Sequence, residues 1–568
     1  MKKLLWLVEL ATLCVFIGCS DAKFPYLVSI QISPSAPSIA AGTTQQFTAQ
    51  GTFSNASTRD LTALVTWSSS TPYVASIASG GLATTYSQGS SNITASFTQP
   101  SGTVTGTATL AVAAPTLVSV VVTDTSVIIP GPNSLTTVKT AVGTSHQFAA
   151  YGIYTDGGER NITTSVTWSS SPLAVATINN AGRATGITPG NATITATDPT
   201  TNLSMSATLN VTSATVTAIV VSPVGQTIAP LTSLSYAALG EFSDGTTQDV
   251  TADSTWSSSD TAAATVTTTA PNGVASGVAS GSTTITATLG GVSGNAPLTV
   301  SSASLTSIAI TPPSSGVAIG STLQMQAVGT FSDGTKQPIN LPAAWSVTPT
   351  GGSIATVNPT GLVTGVAAGT ATVRVKLGTV LQTATITVEN LTSIAVTPTA
   401  ASIAEGTATG LDAVATLADG STQDVTSSVT WLSTNPATAT ISDAAGRSGW
   451  AYGIAPGNAT IGAELDGQSA LVQLTATNAT LSTIAIMPAT AQSIALGNTQ
   501  QYTVQATFSD STTQDLTNQV TWTSSDPAVA VINGFGLATS TSAGSTMVKA
   551  AGDINGSTAT DSKVLSVF

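Results

Sequence analysis

A period of about ninety residues runs through the chain, and it limits what the chain can fold into more than any other feature. An opening apolar stretch recurs as LVSIQISP at Leu27, LVSVVVTD at Leu117, TAIVVSP at Thr217, LTSIAITP at Leu305, LTSIAVTP at Leu391 and LSTIAIMP at Leu481. Each is followed by a central turn: FSNASTRDLT at Phe53, YTDGGERNIT at Tyr154, FSDGTTQDVT at Phe242, FSDGTKQPIN at Phe331, LADGSTQDVT at Leu417 and FSDSTTQDLT at Phe508. A tryptophan comes shortly after every turn, at Trp67, Trp168, Trp256, Trp345, Trp431 and Trp522. A single large core is therefore excluded. Six small units must each bury an interior of their own, and the motifs place them at 27–114, 115–214, 215–303, 304–389, 390–479 and 480–568.

Within a unit the apolar residues alternate. In TATVRVKL, Ala371, Val373, Val375 and Leu377 interleave with Thr372, Arg374 and Lys376, the period of a strand with one buried and one wet face. Val, Ile and Thr enrichment and frequent turn signals, without sustained helical periodicity, predict an all-β chain. The expected fold is six antiparallel immunoglobulin-like β-sandwiches of roughly seven strands each. Few residues are left between units, so the sandwiches should stack into an elongated rod, on the order of 200 Å for six.

The SIAITP opening, the FSDGT turn, the VTWSSS strand, the GLVTGVAAGTATV stretch from Gly361 and the closing ATITV resemble bacterial immunoglobulin-like domains of group 2. Such repeats occur in tandem in intimin- and invasin-type surface proteins. The resemblance covers residues 27 to 568 and implies a sandwich used in surface display and adhesion, with no catalytic residues.

The N-terminus, MKKLLWLVELATLCVFIGCS, has the layout of an export signal: Lys2 and Lys3, an apolar stretch from Leu4 to Gly18, then Cys19. That stretch is shorter than the ~20 residues a membrane-spanning helix needs, and it contains Glu9. Phe16-Ile17-Gly18-Cys19 resembles the lipobox of bacterial lipoproteins. The resemblance implies a signal over 1–19, a lipidated Cys19, a short tether over 20–26, contact with the membrane through that lipid only, and sorting by Ser20 to the outer membrane of a cell that has one. The alternative is an ordinary secretory signal that happens to end at a cysteine.

Charge narrows the function further. Charged residues make up 7% of the chain and the net charge is -13, with no basic run to neutralise a phosphate backbone, so no nucleic-acid partner is expected. The one histidine, His146, shares its place in the repeat with Gln45 and Gln500, which argues against a catalytic base, and the chain is read as non-enzymatic. The six repeated tryptophans, five of which follow an apolar residue by two positions, are expected in the core. Trp450 lies instead in an insertion, GRSGWAYG. With Tyr452 it is a candidate ring platform for a glycan or protein, unless the insertion folds its rings back over a sheet edge. Asp244 with Asp249, Asp419 with Asp424, and Asp510 with Asp515 are candidate calcium ligands, with turn formation as the competing explanation. The expected function is an adhesive or spacer rod at the bacterial cell surface, meeting a host, matrix or polysaccharide ligand. The alternative is a carbohydrate-binding surface module.

Overall fold

The computed structural model describes residues 25–124, 137–341, 343–349 and 351–568; the export signal, Cys19 and most of the tether lie outside them. Among the described residues every regular element is a strand, and no helix is long and apolar enough to cross a membrane. Contacts divide the chain into two units, Met1–Ala113 and Ala114–Phe568. The first holds domain 1 and the second domains 2 to 6, each domain being one ninety-residue repeat.

Domain 4 shows the common plan. Leu305–Thr311 pairs with Gln326–Phe331, which pairs with Lys336–Pro338, in a three-stranded antiparallel sheet. The facing sheet runs Ser314–Ala318, Val380–Glu389, Gly369–Leu377, Ala344–Thr348; its first two strands are parallel and the others antiparallel. Thr322–Gln324, Leu362–Gly365 and Ala355–Val357 form a short third sheet at the end of the sandwich. Alternation decides which face is inside: Ala371, Val373, Val375 and Leu377 are buried, as the sequence pattern predicts, and meet Ile308, Ile310 and Ile386 from the strands around them.

The tryptophans explain why the motif DxT precedes them in four of the six domains, at Asp60, Asp249, Asp424 and Asp515. In domain 3 the Asp249 carboxylate accepts the Thr251 backbone N–H at 2.8 Å, the Thr251 hydroxyl accepts the Ala238 N–H at 2.8 Å, and the Trp256 indole donates to the Thr251 carbonyl at 2.8 Å. The same indole bond recurs from Trp67 to Thr62, Trp168 to Thr163, Trp345 to Asn340, Trp431 to Thr426 and Trp522 to Thr517. Five of these rings are buried, and Trp345 is half-buried against its core. A buried indole N–H needs an acceptor, and the turn supplies one without opening a strand ladder.

One sheet crosses between domains that are not sequence neighbours. In the second unit, Gly158–Asn161 of domain 2 pairs in parallel with Ala439–Ser442 of domain 5. Stacking of consecutive sandwiches does not call for this contact, and the repeat pattern did not foretell it.

Candidate functional site

Consecutive domains of the second unit meet through a recurrent glutamine. It sits in the short strand after the central turn, at Gln248, Gln337, Gln423 and Gln514. Gln337 of domain 4 accepts the Ala229 N–H at 3.0 Å and the Thr232 hydroxyl at 2.9 Å from domain 3. Gln423 takes the Ala318 N–H and the Ser321 hydroxyl of domain 4, and returns a bond to the Thr322 carbonyl. Gln514 accepts the Thr407 hydroxyl, and Gln248 accepts from Thr140 and Thr144. One amide thus satisfies groups that a neighbour's turn leaves over, and it fixes the register of the joint as well as its contact. Replacing Gln337 by alanine is expected to strand the Ala229 N–H at a cost of about 1 to 3 kcal/mol. Amide exchange at Ala229 should accelerate about tenfold or more, and unchanged exchange would remove the glutamine from the joint.

Trp450 does not lie in an insertion: the strand Trp450–Gly453 pairs with Ala408–Gly410 on one side and Ala439–Ser442 on the other, the slot that Leu362–Gly365 fills in domain 4, and the extra residues lie before it, between Ile441 and Trp450. The strand's two rings end in different surroundings. Tyr452 is 3% exposed, its hydroxyl sealed away from solvent, so the candidate paired platform is not formed. Trp450 is half-buried and lines a cleft of about 650 Å³ at the joint of domains 5 and 6, together with Gln501, Thr513, Asp515, Asn518 and Phe535. Phe535, which the sequence reading passed over, is 52% exposed. Its position after Asn533-Gly534 in an ordinary turn gave no reason to single it out.

The acidic pairs are committed to their own turns. Asp244 accepts the Thr246 N–H and hydroxyl, Asp419 the Ser421 N–H, and Asp510 the Thr512 N–H and hydroxyl. Hydrogen bonds from these hydroxyls and amides hold the three carboxyls below the usual carboxylate range. Their partners Asp249, Asp424 and Asp515 cap Thr251, Thr426 and Thr517. Among the described residues no group of three or more Asp, Glu, His or Cys side chains gathers as a metal site would require. His146 occupies the strand slot of Gln45 and Gln500, and its Nε2 lies 2.7 Å from Asp124 Oδ1.

The family model described as "Bacterial Ig-like domain (group 2)" matches residues 28–112, 132–209, 215–300, 304–388, 390–475 and 481–562. The chain belongs to the bacterial Ig-like domain (group 2) family. A curated relative of this group 2 protein is Ice-binding protein 1 of Shewanella frigidimarina (strain NCIMB 400), 39% identical over 530 residues, covering 92% of this chain and 56% of the relative. The chain therefore spans just over half the length of that relative. Among solved structures, the surface layer protein SbsC, domains 1–6, is 17% identical with a TM-score of 0.21, over 76% of this chain and 64% of that one. The N-terminal eight Ig domains of Down Syndrome Cell Adhesion Molecule are 12% identical with a TM-score of 0.17, over 94% of this chain and 71% of that one.

Proposed function

We propose that this is a non-enzymatic, exported bacterial surface protein whose Ig-like domains act as an adhesive or spacer array, held to the membrane by lipid on Cys19. The observation that carries the reading is the glutamine joint. The same side chain at the same slot closes four successive interfaces, an investment in holding domains at fixed offsets that a spacer uses directly. The name of the Shewanella relative adds ice to the surfaces such an array could face.

The test is binding of the purified chain to glycan and extracellular-matrix arrays, with calcium and with chelator, beside an assay of ice recrystallisation. Saturable binding that a single-domain deletion removes would establish adhesion and locate it. No binding on any surface would leave the spacer. Because the acidic turns already spend their oxygens on backbone and hydroxyl groups, chelator is expected to leave the thermal midpoints where they are; a calcium-dependent rise would move those turns into a binding role.

A second reading, carbohydrate binding, is favoured by the cleft that Trp450 and Phe535 share with amide and hydroxyl side chains, an apolar face beside polar groups that suits a sugar. Under that reading Trp450→Ala and Phe535→Ala each weaken glycan binding about tenfold or more while the melt stays near wild type. Equal binding by both variants would exclude the cleft.

A further inference from the structure

The two segments that depart most from the repeat pack against each other. In domain 2 the turn reads Asp156-Gly157-Gly158-Glu159-Arg160, where domain 3 has Asp244-Gly245-Thr246-Thr247-Gln248. In domain 5 the inserted segment follows Ile441 and carries Ser442, Asp443 and Arg447. Between them, the Ser433 N–H donates to the Asp156 carbonyl at 2.7 Å, Ile441 to Gly157 at 3.1 Å, and Asp443 to Glu159 at 2.8 Å. A Cβ on Gly158 would come to 3.1 Å from the Trp431 carbonyl oxygen, and one on Gly157 to 2.7 Å from Ser433 Cβ. The glycines are what let the domain 5 backbone approach.

Side chains seal the contact. Arg447 Nη1 lies 3.4 Å from Glu159 Oε1, both groups being more than nine-tenths buried, and the Ser442 hydroxyl donates to the same oxygen at 3.1 Å. The Arg447 guanidinium stacks 4.5 Å above the Tyr151 ring, and Ala149, Tyr151 and Ala444 form an apolar cluster across the interface. Arg160, at the slot that holds the joint glutamine in domains 3 to 6, bonds Asp156 at 2.6 Å, approaches Asp443 to 3.7 Å and lies over Tyr154. Farther along, Val220, Val224 and Leu239 of domain 3 face Leu496 and Val531 of domain 6 across an apolar cleft of about 730 Å³.

We propose that domains 2 and 5 form an intramolecular clasp, closed by these two repeat-breaking segments, which ties together domains that the chain order keeps apart and which can open without unfolding either one. Each domain keeps its own core, so opening exposes only the Gly158–Asn161 edge, the small apolar cluster and the charged groups. The charges make closure depend on protons. Asp156, Glu159 and Asp443 are enclosed with Arg160 and Arg447, three carboxylates against two guanidinium groups, with Tyr151, Tyr154 and Tyr452 around them. One carboxylate is in excess, and a bound proton neutralises the set. Burial pushes Asp443 up to about 7, and burial likewise raises Glu159 despite Arg447 beside it. A carboxyl raised on closing binds its proton more tightly in the closed form. The benefit is complete below the ordinary carboxylate range and is lost as pH rises through about 7, so the clasp loosens toward alkaline pH.

The test restores the repeat. Changing Gly158→Thr, Glu159→Thr and Arg160→Gln gives domain 2 the triplet that domain 3 folds with, so domain 2 should stay intact while the clasp loses its fit. In the wild-type chain the amides of Ser433, Ile441 and Asp443 should exchange slowly relative to unstructured peptide, independently of protein concentration, with protection falling between about pH 5 and pH 8. In the variant those three amides should exchange about tenfold faster or more, the Trp168 and Trp431 cores should melt as before, and the sedimentation coefficient should drop. Arg447→Glu, which leaves domain 2 untouched, should act in the same direction. Equal protection in wild type and both variants would overturn the clasp. Protection that disappears on dilution would assign the contact to two copies of the chain and overturn it as an internal device. Protection that grows with pH would overturn its proton dependence.

Discussion

Replacing Trp431 by alanine will lower the stability of domain 5 by about 3 to 5 kcal/mol, a large part of what a domain of this size possesses. Trp431 is fully buried, touches both sheets through a core that includes Leu411, Ile441, Ile461 and Leu474, and donates its indole N–H to the Thr426 carbonyl at 3.0 Å. Alanine removes the packing and the indole donor, leaving the Thr426 carbonyl with the Ser448 hydroxyl alone. Trp431→Phe separates the two effects: most of the volume stays, the hydrogen bond goes, and the loss should shrink to about 1 to 2 kcal/mol. Calorimetry of the full chain reads both, since domains with separate cores can melt in separate transitions. A domain 5 transition that does not move in Trp431→Ala would mean the core does not depend on this ring.

The second large effect is expected from a residue with no side chain. Gly536 has φ +76°, and a Cβ there would lie 2.3 Å from the Tyr502 carbonyl oxygen and 3.0 Å from the Trp522 ring. Both its backbone angle and the space beside it exclude a substituent. Gly536→Ala should cost domain 6 about 2 to 4 kcal/mol, from left-handed strain together with displacement of the tryptophan. Gly81, Gly182, Gly273 and Gly361 hold the same relation to the tryptophans of domains 1 to 4. By contrast Gly334, also at positive φ but with nothing near its Cβ position, should tolerate asparagine at a cost below about 1 kcal/mol. Similar losses at Gly536 and Gly334 would show that backbone angle alone, not the ring, sets the cost.

Features repeated six times were legible because repetition separates requirement from accident. The alternation in TATVRVKL marked the inner face, and a tryptophan at the same place in every repeat, two places after an apolar residue in five of them, marked the core. The bland account of the acidic turns could be weighed because Asp333 stands opposite Pro338 in domain 4, where a metal pair would need a second acid. The joint glutamines were repeated four times, in TTQD, TKQP, STQD and TTQD, yet the motif reads as turn chemistry until a neighbouring domain is placed beside it. Trp450 and Tyr452 fill the strand slots of Leu362 and Thr364, so only their ring types depart from the repeat, and what they meet depends on strand pairings within domain 5 and on domain 2, whose contacting residues lie some 280 positions earlier in the chain. Local pattern carries no information about such an encounter. Its trace in the sequence is the joint departure of Gly158-Glu159-Arg160 and of the segment after Ile441 from their repeats, a signal that becomes readable once the departures are considered as a pair.

The parallel pairing near the start of each domain has a mechanical consequence. In domain 4, Ser314–Ala318 runs alongside the closing strand Val380–Glu389 in the same direction, with Ser314 opposite Thr385 and Ala318 opposite Glu389. A pull on the two ends of the domain slides these strands past each other lengthwise. The hydrogen bonds between them are then loaded together, where a hairpin pulled open from its free ends would yield one bond at a time. The pairing recurs at Gln226–Ile228 with Val292–Val300, Ala400–Ala404 with Gln468–Thr477, and Gln492–Ile494 with Ser557–Val567. Each domain is thus built to carry tension along the direction in which the chain enters and leaves it.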